Sequence, residues 1–331
     1  MITSVAYIPG EQVCLLPQMN SAKYKIECPR HRPLPGHKPL GIRRKGFFNR
    51  LCDGSKVRRF ECLECGATFS EATSTLEYRQ RKRSINEFLF VLLASNNSMR
   101  RAAIICKIAR KTVERRLLYF SKVAERYQKK LLASLPQEKE LQFDDMESSE
   151  HTKMKPLSIP LVVTHPTRLI LASDVASMPA KGPLAEKSRA KYGRRSDDRV
   201  LAWQNVLSKA SRVAVPGVII TSDSHRRYPA AIKKILPNAT HRQVKGRRGC
   251  VAGQGELKVG GRDPLFSLNH TAAMLRANIC RLIRKTWCTT KKKENLRLHV
   301  TLYMMWHNET ILANLQGRQR SFPFPDGKVK H

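Results

Sequence analysis

Acidic residues are scarce in this chain. Its 331 residues hold 26 Asp and Glu against 62 Lys and Arg, a formal net charge of +36. Such an imbalance speaks about partners rather than fold, and nucleic acid comes first because each neutralised phosphate releases counterions. Long apolar runs are also missing. The longest, Phe88 to Ala94, is far short of the roughly 18 residues that span a bilayer. No basic helix with a clean apolar face offers itself to a membrane surface. The first residues lack the basic start and apolar core of a secretion signal. Cysteine is too irregular for a disulfide framework: nine are present, an odd number, and they are scattered. That pattern fits a reducing cytoplasm and a metal site. No internal repeat is seen. What is present in quantity is hydrophobic residues, 41% of the chain, enough for packed cores. At roughly 100–200 residues per domain the length allows two or three.

Four segments follow from the changes in composition. Residues 1–78 contain a small module rich in Arg, Gly, Pro and Cys. A charged break, Arg79-Gln-Arg-Lys-Arg83, leads into a helical block within 79–136. From 137 to 317 short β-like runs (Leu141–Phe143, Leu157–Val163, Leu169–Ala172 and Val213–Thr221) alternate with helical patterns at 201–210, 228–236, 265–287 and 295–311. The basic stretches 180–199 and 245–263 read as loops, and 318–331 as a frayed basic tail. Trp203, Trp287 and Trp306 sit in apolar helical patterns and are expected in cores.

Three constellations carry chemistry. The first is Cys28-Pro-Arg-His31 with Cys62-Leu-Glu-Cys65. Each pair places two ligands on one tight turn, and two such turns close a tetrahedral zinc site. His37 or Cys52 can substitute for His31. Gly66 supplies a positive φ after the second pair, and Phe60 and Phe69 form an apolar wall. The second is a helix-turn-helix pattern from Ser84 to Phe120. Ser98 is an N-cap, Ala103 a close crossing and Ile108 the plug of the turn, while Val113 and Leu117 face inward. Arg110, Lys111, Thr112, Arg115 and Arg116 are then expected on the exposed face, where they reach phosphates and guanine edges. The third is acidic. Asp144 lies at the expected end of one strand, and Asp223 ends the apolar run Val218–Thr221. Carboxylates on neighbouring strand ends can hold two Mg2+ or Mn2+ ions for phosphoryl chemistry. His151, Lys153 and Lys155 follow the first acid and can meet phosphate or simply lie in a solvated loop.

With these residues in order, the chain resembles a DDE-type insertion-sequence transposase of the zinc-ribbon group related to the insertion sequence one family. The knuckle followed by the helix-turn-helix carries part of the likeness. So does Leu275-Arg-Ala-Asn-Ile-Cys-Arg-Leu-Ile-Arg-Lys-Thr-Trp287, which resembles the basic helix after the third catalytic residue. The likeness implies an α/β, ribonuclease H-like core whose metals are held by Asp144 and Asp223, with Asp145 as fallback for the first. The third position departs from the pattern. Counting back from Leu275-Arg276, the usual Glu falls on Asn269, a neutral and weaker ligand; Glu256, in a glycine-rich loop, is the alternative. Arg276 and Arg281 are expected to clamp the DNA backbone.

The expected protein is a cytoplasmic transposase. It binds the terminal inverted repeats of its own element in double-stranded DNA, cleaves a strand at each end and joins the ends to target DNA, as a homo-oligomer. Two rivals stand beside this reading: a DNA-binding protein without chemistry, favoured by Asn269, and a metal-dependent nuclease that cuts without joining.

Overall fold

A computed structural model describes residues 26–30, 41–245, 257–258, 261–283 and 288–324. It is a mixed α/β structure. An N-terminal meander comprises β1 (Ile42–Asn49), β2 (Lys56–Cys62) and β3 (Thr68–Ser70), all antiparallel. Three helices follow: α1 (Asn86–Ala94), α2 (Met99–Ile105) and α3 (Arg110–Ser134). Ser98 caps α2, its side chain accepting from the Arg101 N–H.

The larger sheet begins with β4 (Glu138–Ser149), β5 (Pro156–Thr164), β6 (Ile170–Ser173) and β7 (Ala176–Ser177). Helices α4 (Leu184–Tyr192) and α5 (Arg199–Ala210) lead to β8 (Ala214–Asp223), α6 (Tyr228–Ile235) and β9 (Thr240–Val244). The strand order is β6-β5-β4-β8-β9, with β7 beside β5. Strands β4, β5 and β6 run antiparallel in turn, whereas β8 and β9 run parallel to β4. Strand β5 is almost wholly buried, which fits its largely apolar sequence. Its internal Pro160 lacks a donor where β6 gives way to β7, so no ladder bond is lost there.

A short hairpin, β10 (Leu257–Lys258) with β11 (Gly261–Arg262), precedes α7 (Phe266–Asn278) and the closing helix α8 (Lys293–Leu315). No helix among the described residues is long and apolar enough to cross a membrane.

Two cores flank the sheet. One gathers Leu141, Phe143, Val218 and Ile220 against Trp203 and Val206 of α5 and Tyr228 and Ile232 of α6. The other joins the opposite face, through Met146, Leu157, Ile159 and Leu161, to α7, α8 and the helical block. The helical block therefore has no separate core: Leu89, Phe90, Val113, Leu117 and Phe120 share one with the sheet and α8. Side-chain amides also cover the β6 edge. Gln128 of α3 donates to the Ile170 and Leu171 carbonyls, and Asn308 of α8 bonds both backbone groups of Ile170.

Several expectations are corrected. Residues 184–192 form a helix rather than part of a loop. The helix expected to run to Trp287 stops at Asn278, whose carbonyl accepts from the Asn96 N–H, and a short 3-10 turn follows; Trp287 lies outside the described residues. The tail is not frayed up to Phe324. Arg318 pairs with the buried Glu309. Phe322 stacks on Trp306, and Phe324 packs between Phe90 and Phe120. Replacing Phe324 by Ala leaves a cavity in this aromatic cluster and is expected to destabilise the fold by about 3 kcal/mol, read as a lower denaturant midpoint. An unchanged midpoint would return the tail to solvent.

Candidate functional site

The N-terminal meander brings Cys28, Cys62 and Cys65 together, their Sγ atoms all within 4.8 Å of one another. The Sγ atoms of Cys28 and Cys65 are 3.6 Å apart. Cys62 ends β2, and the chain turns back at once: the Gly66 N–H donates to the Cys62 carbonyl at 2.9 Å, with Gly66 at φ +66°. That φ suits glycine. Phe60 and Phe69, 5.8 Å between ring centres, back the cluster. Three converging sulfurs form a soft donor set that can hold a metal and fit structural zinc. The Ala67 N–H favours a Cys65 thiolate, but burial and the two neighbouring thiols outweigh it and push that thiol up; a bound cation relieves this crowding. His31 and the alternative His37 lie outside the described residues. Cys52 is not part of the cluster, its Sγ lying 3.9 Å from the Gln80 carbonyl.

The acidic pair is built by the sheet. In the parallel β4–β8 ladder Phe143 is opposite Ser222, so the next residues, Asp144 and Asp223, lie side by side. Phe143, Val218 and Ile220 belong to the α5–α6 core. Alternation therefore sends both carboxylates to the opposite face, the α7 side. Asp144 is not at a strand end, as expected, but in the middle of β4, at the point where β8 stops. Its Oδ1 accepts from the Tyr228 hydroxyl at 2.9 Å and from the Asp145 N–H at 2.7 Å. Burial, reinforced by the negative charge of Asp223, raises the Asp144 carboxyl to about 6 despite these two donors. Asp223 accepts from the His225 N–H at 3.0 Å.

Asp145, the fallback, faces the other way. Its carboxylate accepts from the Trp203 indole at 2.8 Å and from the Ser158 hydroxyl at 2.8 Å. Those donors occupy it structurally, which favours Asp144 for the first acidic position.

Helix α7 lies over the face that carries the acids. Gln142, two residues before Asp144 on the same side of β4, accepts from the Leu268 N–H at 2.9 Å and donates to the Pro264 carbonyl at 3.0 Å. Asn269 is exposed in the first turn of α7, and its Nδ2 donates to the buried Asp263 at 2.7 Å. The amide nitrogen is thus held by Asp263, and the other end of the side chain is an acceptor oxygen. Glu256 lies outside the described residues.

The helix-turn-helix positions divide. Ala103, Val113 and Leu117 are buried as expected, and Ile108 packs against the same core. Arg110, Lys111 and Arg115 are exposed and Thr112 half-buried; Arg110 and Lys111 both reach Glu114, at 3.0 and 3.4 Å. Arg116 is corrected: it is only 6% exposed and donates to the Lys82 carbonyl. The reason is helical spacing, since Arg116 stands three residues after Val113 and four before Phe120, both fully buried. Arg281 is also drawn in, its Nη2 resting 3.6 Å from the Met99 sulfur of α2 while its Nε is buried without a hydrogen-bond partner among the described residues. Arg276 is half-buried on α7. His151 adopts φ +64°, and Lys155 lies 4.5 Å from the centre of the Tyr192 ring.

Sequence reasoning missed Tyr228, Gln142 and Asp263. Tyr228 and Gln142 act through partners far away in the chain, which no local periodicity marks; Asp263 acts locally, on Leu265 and Asn269 at the start of α7. No protein-family model matches the sequence, and no curated protein matches it.

The thiol cluster makes a direct prediction. The purified protein is expected to carry one zinc per chain, and Cys62→Ser with Cys65→Ser to lose it, by elemental analysis. A double variant that retains full zinc would place the metal elsewhere.

Proposed function

We propose that this chain is a DDE-type transposase that cleaves and joins DNA strands at a site built on Asp144 and Asp223. The observation that carries the reading is their side-by-side register on two parallel strands, facing the helix that bears Asn269. The ribonuclease H-like core that goes with this reading is supported by the sheet. Three antiparallel strands are extended by two parallel ones, the acids sit on the two adjacent central strands, and helices cover both faces. The net charge of +36 supports a polyanionic partner.

In this reading Asp144 and Asp223 hold divalent cations, Mg2+ or Mn2+, which supply the charge that an in-line phosphodiester displacement needs at its attacking and leaving oxygens. Tyr228 keeps one oxygen of Asp144 occupied and so turns the other towards the site. Burial and the nearby carboxylates hold the Tyr228 phenol far above its usual range, so it remains a neutral donor. Asn269 contributes a neutral oxygen where an acid is usual, giving weaker cation binding and a preference for Mn2+. Hydrolysis at each element end frees a 3′-hydroxyl, and the same site directs that hydroxyl at target DNA. The exposed cations of α3 position the duplex, while two ends require at least two copies of the chain.

A second reading, a DNA-binding protein without chemistry, is favoured by one observation: the third position is an amide, exposed and bonded to Asp263.

The test uses DNA carrying the element's own ends, purified protein and Mg2+ or Mn2+. Asp144→Asn and Asp223→Asn are each expected to lower cleavage by at least about 1,000-fold, in line with the loss of a principal charge-stabilising group, while end binding stays within about twofold. Cleavage retained in either variant would mean the acids are misassigned. End binding with no cleavage by the wild type under either metal would favour the inert reading.

A further inference from the structure

A cleft of about 800 Å³ lies away from the acids, between the Leu76–Lys82 segment and the first half of α3. Read as sequence, Arg79–Arg83 is a charged break between two modules. In the structure it is a fixed wall. Arg116 donates to the Lys82 carbonyl at 3.0 Å, Arg83 to the Glu77 carbonyl at 3.1 Å, and Asn86 to the Gln80 side chain at 3.0 Å. The buried Tyr119 hydroxyl completes the anchorage on Glu77 at 2.7 Å.

The wall carries Arg79, Arg81 and Lys82, all exposed, and Lys107, Arg115 and Lys122 face them from the turn before α3 and from α3 itself. No Asp or Glu is among the described residues that line the cleft. A second observation comes from its floor. Arg116 lines the cleft, is more than nine-tenths buried, and its Nε is buried with no hydrogen-bond partner among the described residues. Burial disfavours that charge and the Glu77 carboxylate offsets the cost only in part; an approaching anion would offset more of it.

We propose that this cleft binds the sugar-phosphate backbone of DNA, gripping a strand beside the groove that α3 enters. The inference rests on the DNA-binding reading and extends it, since the contacts fall on the segment before the helical block as well as on the helix. Here Arg116 is a positioning residue: it ties the loop to α3 and leaves a positive charge beneath it. Phosphate contacts of this kind fix register and add affinity without reading sequence.

The test measures binding of the full chain to a short mixed-sequence duplex over a range of salt concentrations. Three proteins are compared: the wild type, a cleft variant (Arg81→Ala, Lys82→Ala, Lys122→Ala) and a remote variant with the same charge loss (Lys209→Ala, Lys233→Ala, Lys234→Ala). All six positions are exposed or half-buried on the surface, so folding is expected to persist and is checked by the unfolding midpoint. Each lost phosphate contact removes about 0.9 from the slope of log K against log salt. The cleft variant is therefore expected to flatten the slope by about 2–3, with the remote variant like the wild type. An unchanged slope in the cleft variant, or equal flattening in both, would overturn the proposal. If Arg110→Ala with Lys111→Ala still weakens binding in that case, the helix-turn-helix reading survives alone. A wild type that does not bind DNA would overturn both.

Discussion

The parallel pairing of β4 with β8 is the constraint on which the rest depends. Its register places Asp144 beside Asp223 and sends both to one face. Shifting β4 by one residue would turn Asp144 into the α5–α6 core, away from Asp223, and take Phe143 out of it, so the hydrophobic pattern that packs the sheet also fixes the acidic pair. The neighbouring β4–β5 pairing supplies the support. It brings Ser158 to Asp145, which with Trp203 holds that second carboxylate on the opposite face and keeps the two adjacent acids apart. Tyr228, from the α5–α6 side, also reaches Asp144, its hydroxyl donating to Oδ1. Burial and a like charge raise the Asp144 carboxyl to about 6 and so disfavour its ionised form. Under the proposed function, a cation beside the pair would relieve that cost.

Charge is distributed to match. The cationic cleft lies on the helical block, and the acids lie over the sheet. A shared core, rather than a hinge, joins those two parts: α1 and α3 pack on α8, and the tail residues Phe322 and Phe324 close the seam. Under the proposed function, a duplex bound on α3 would therefore lie at a fixed distance from the acidic face. The thiol cluster stands in its own small apolar setting of Phe60 and Phe69 and serves the meander that leads into the cleft wall.

Much of this was legible where one short segment contains the whole physical reason. The apolar runs of β5 and β8, the cap at Ser98, the cysteine spacing and the positive φ of Gly66 all belong to that kind. Arg116 was also readable, because its spacing from Val113 and Phe120 puts it on the buried stripe; its charge hid it. Position within the sheet was less visible. The polar residues of β4 suggested a strand that ends at Asp144, whereas they continue a strand paired only with β5 beyond that point. Helix α4 carries few apolar residues and so gives no periodic signal. The roles of Tyr228 and Gln142 depend on contacts made only when distant segments meet.

The most direct test of the acidic pair is the affinity for Mn2+, measured by titration calorimetry across pH in the wild type and in Asp223→Asn, with zinc retained in the thiol cluster. A cation must displace the proton on Asp144, so affinity is expected to climb as pH rises through about 6 and then level off. The variant should bind at least about tenfold more weakly, the effect of losing one carboxylate ligand worth about 1.4 kcal/mol or more. Affinity that ignores both pH and the Asp223 substitution would contradict a metal site built on these two strands.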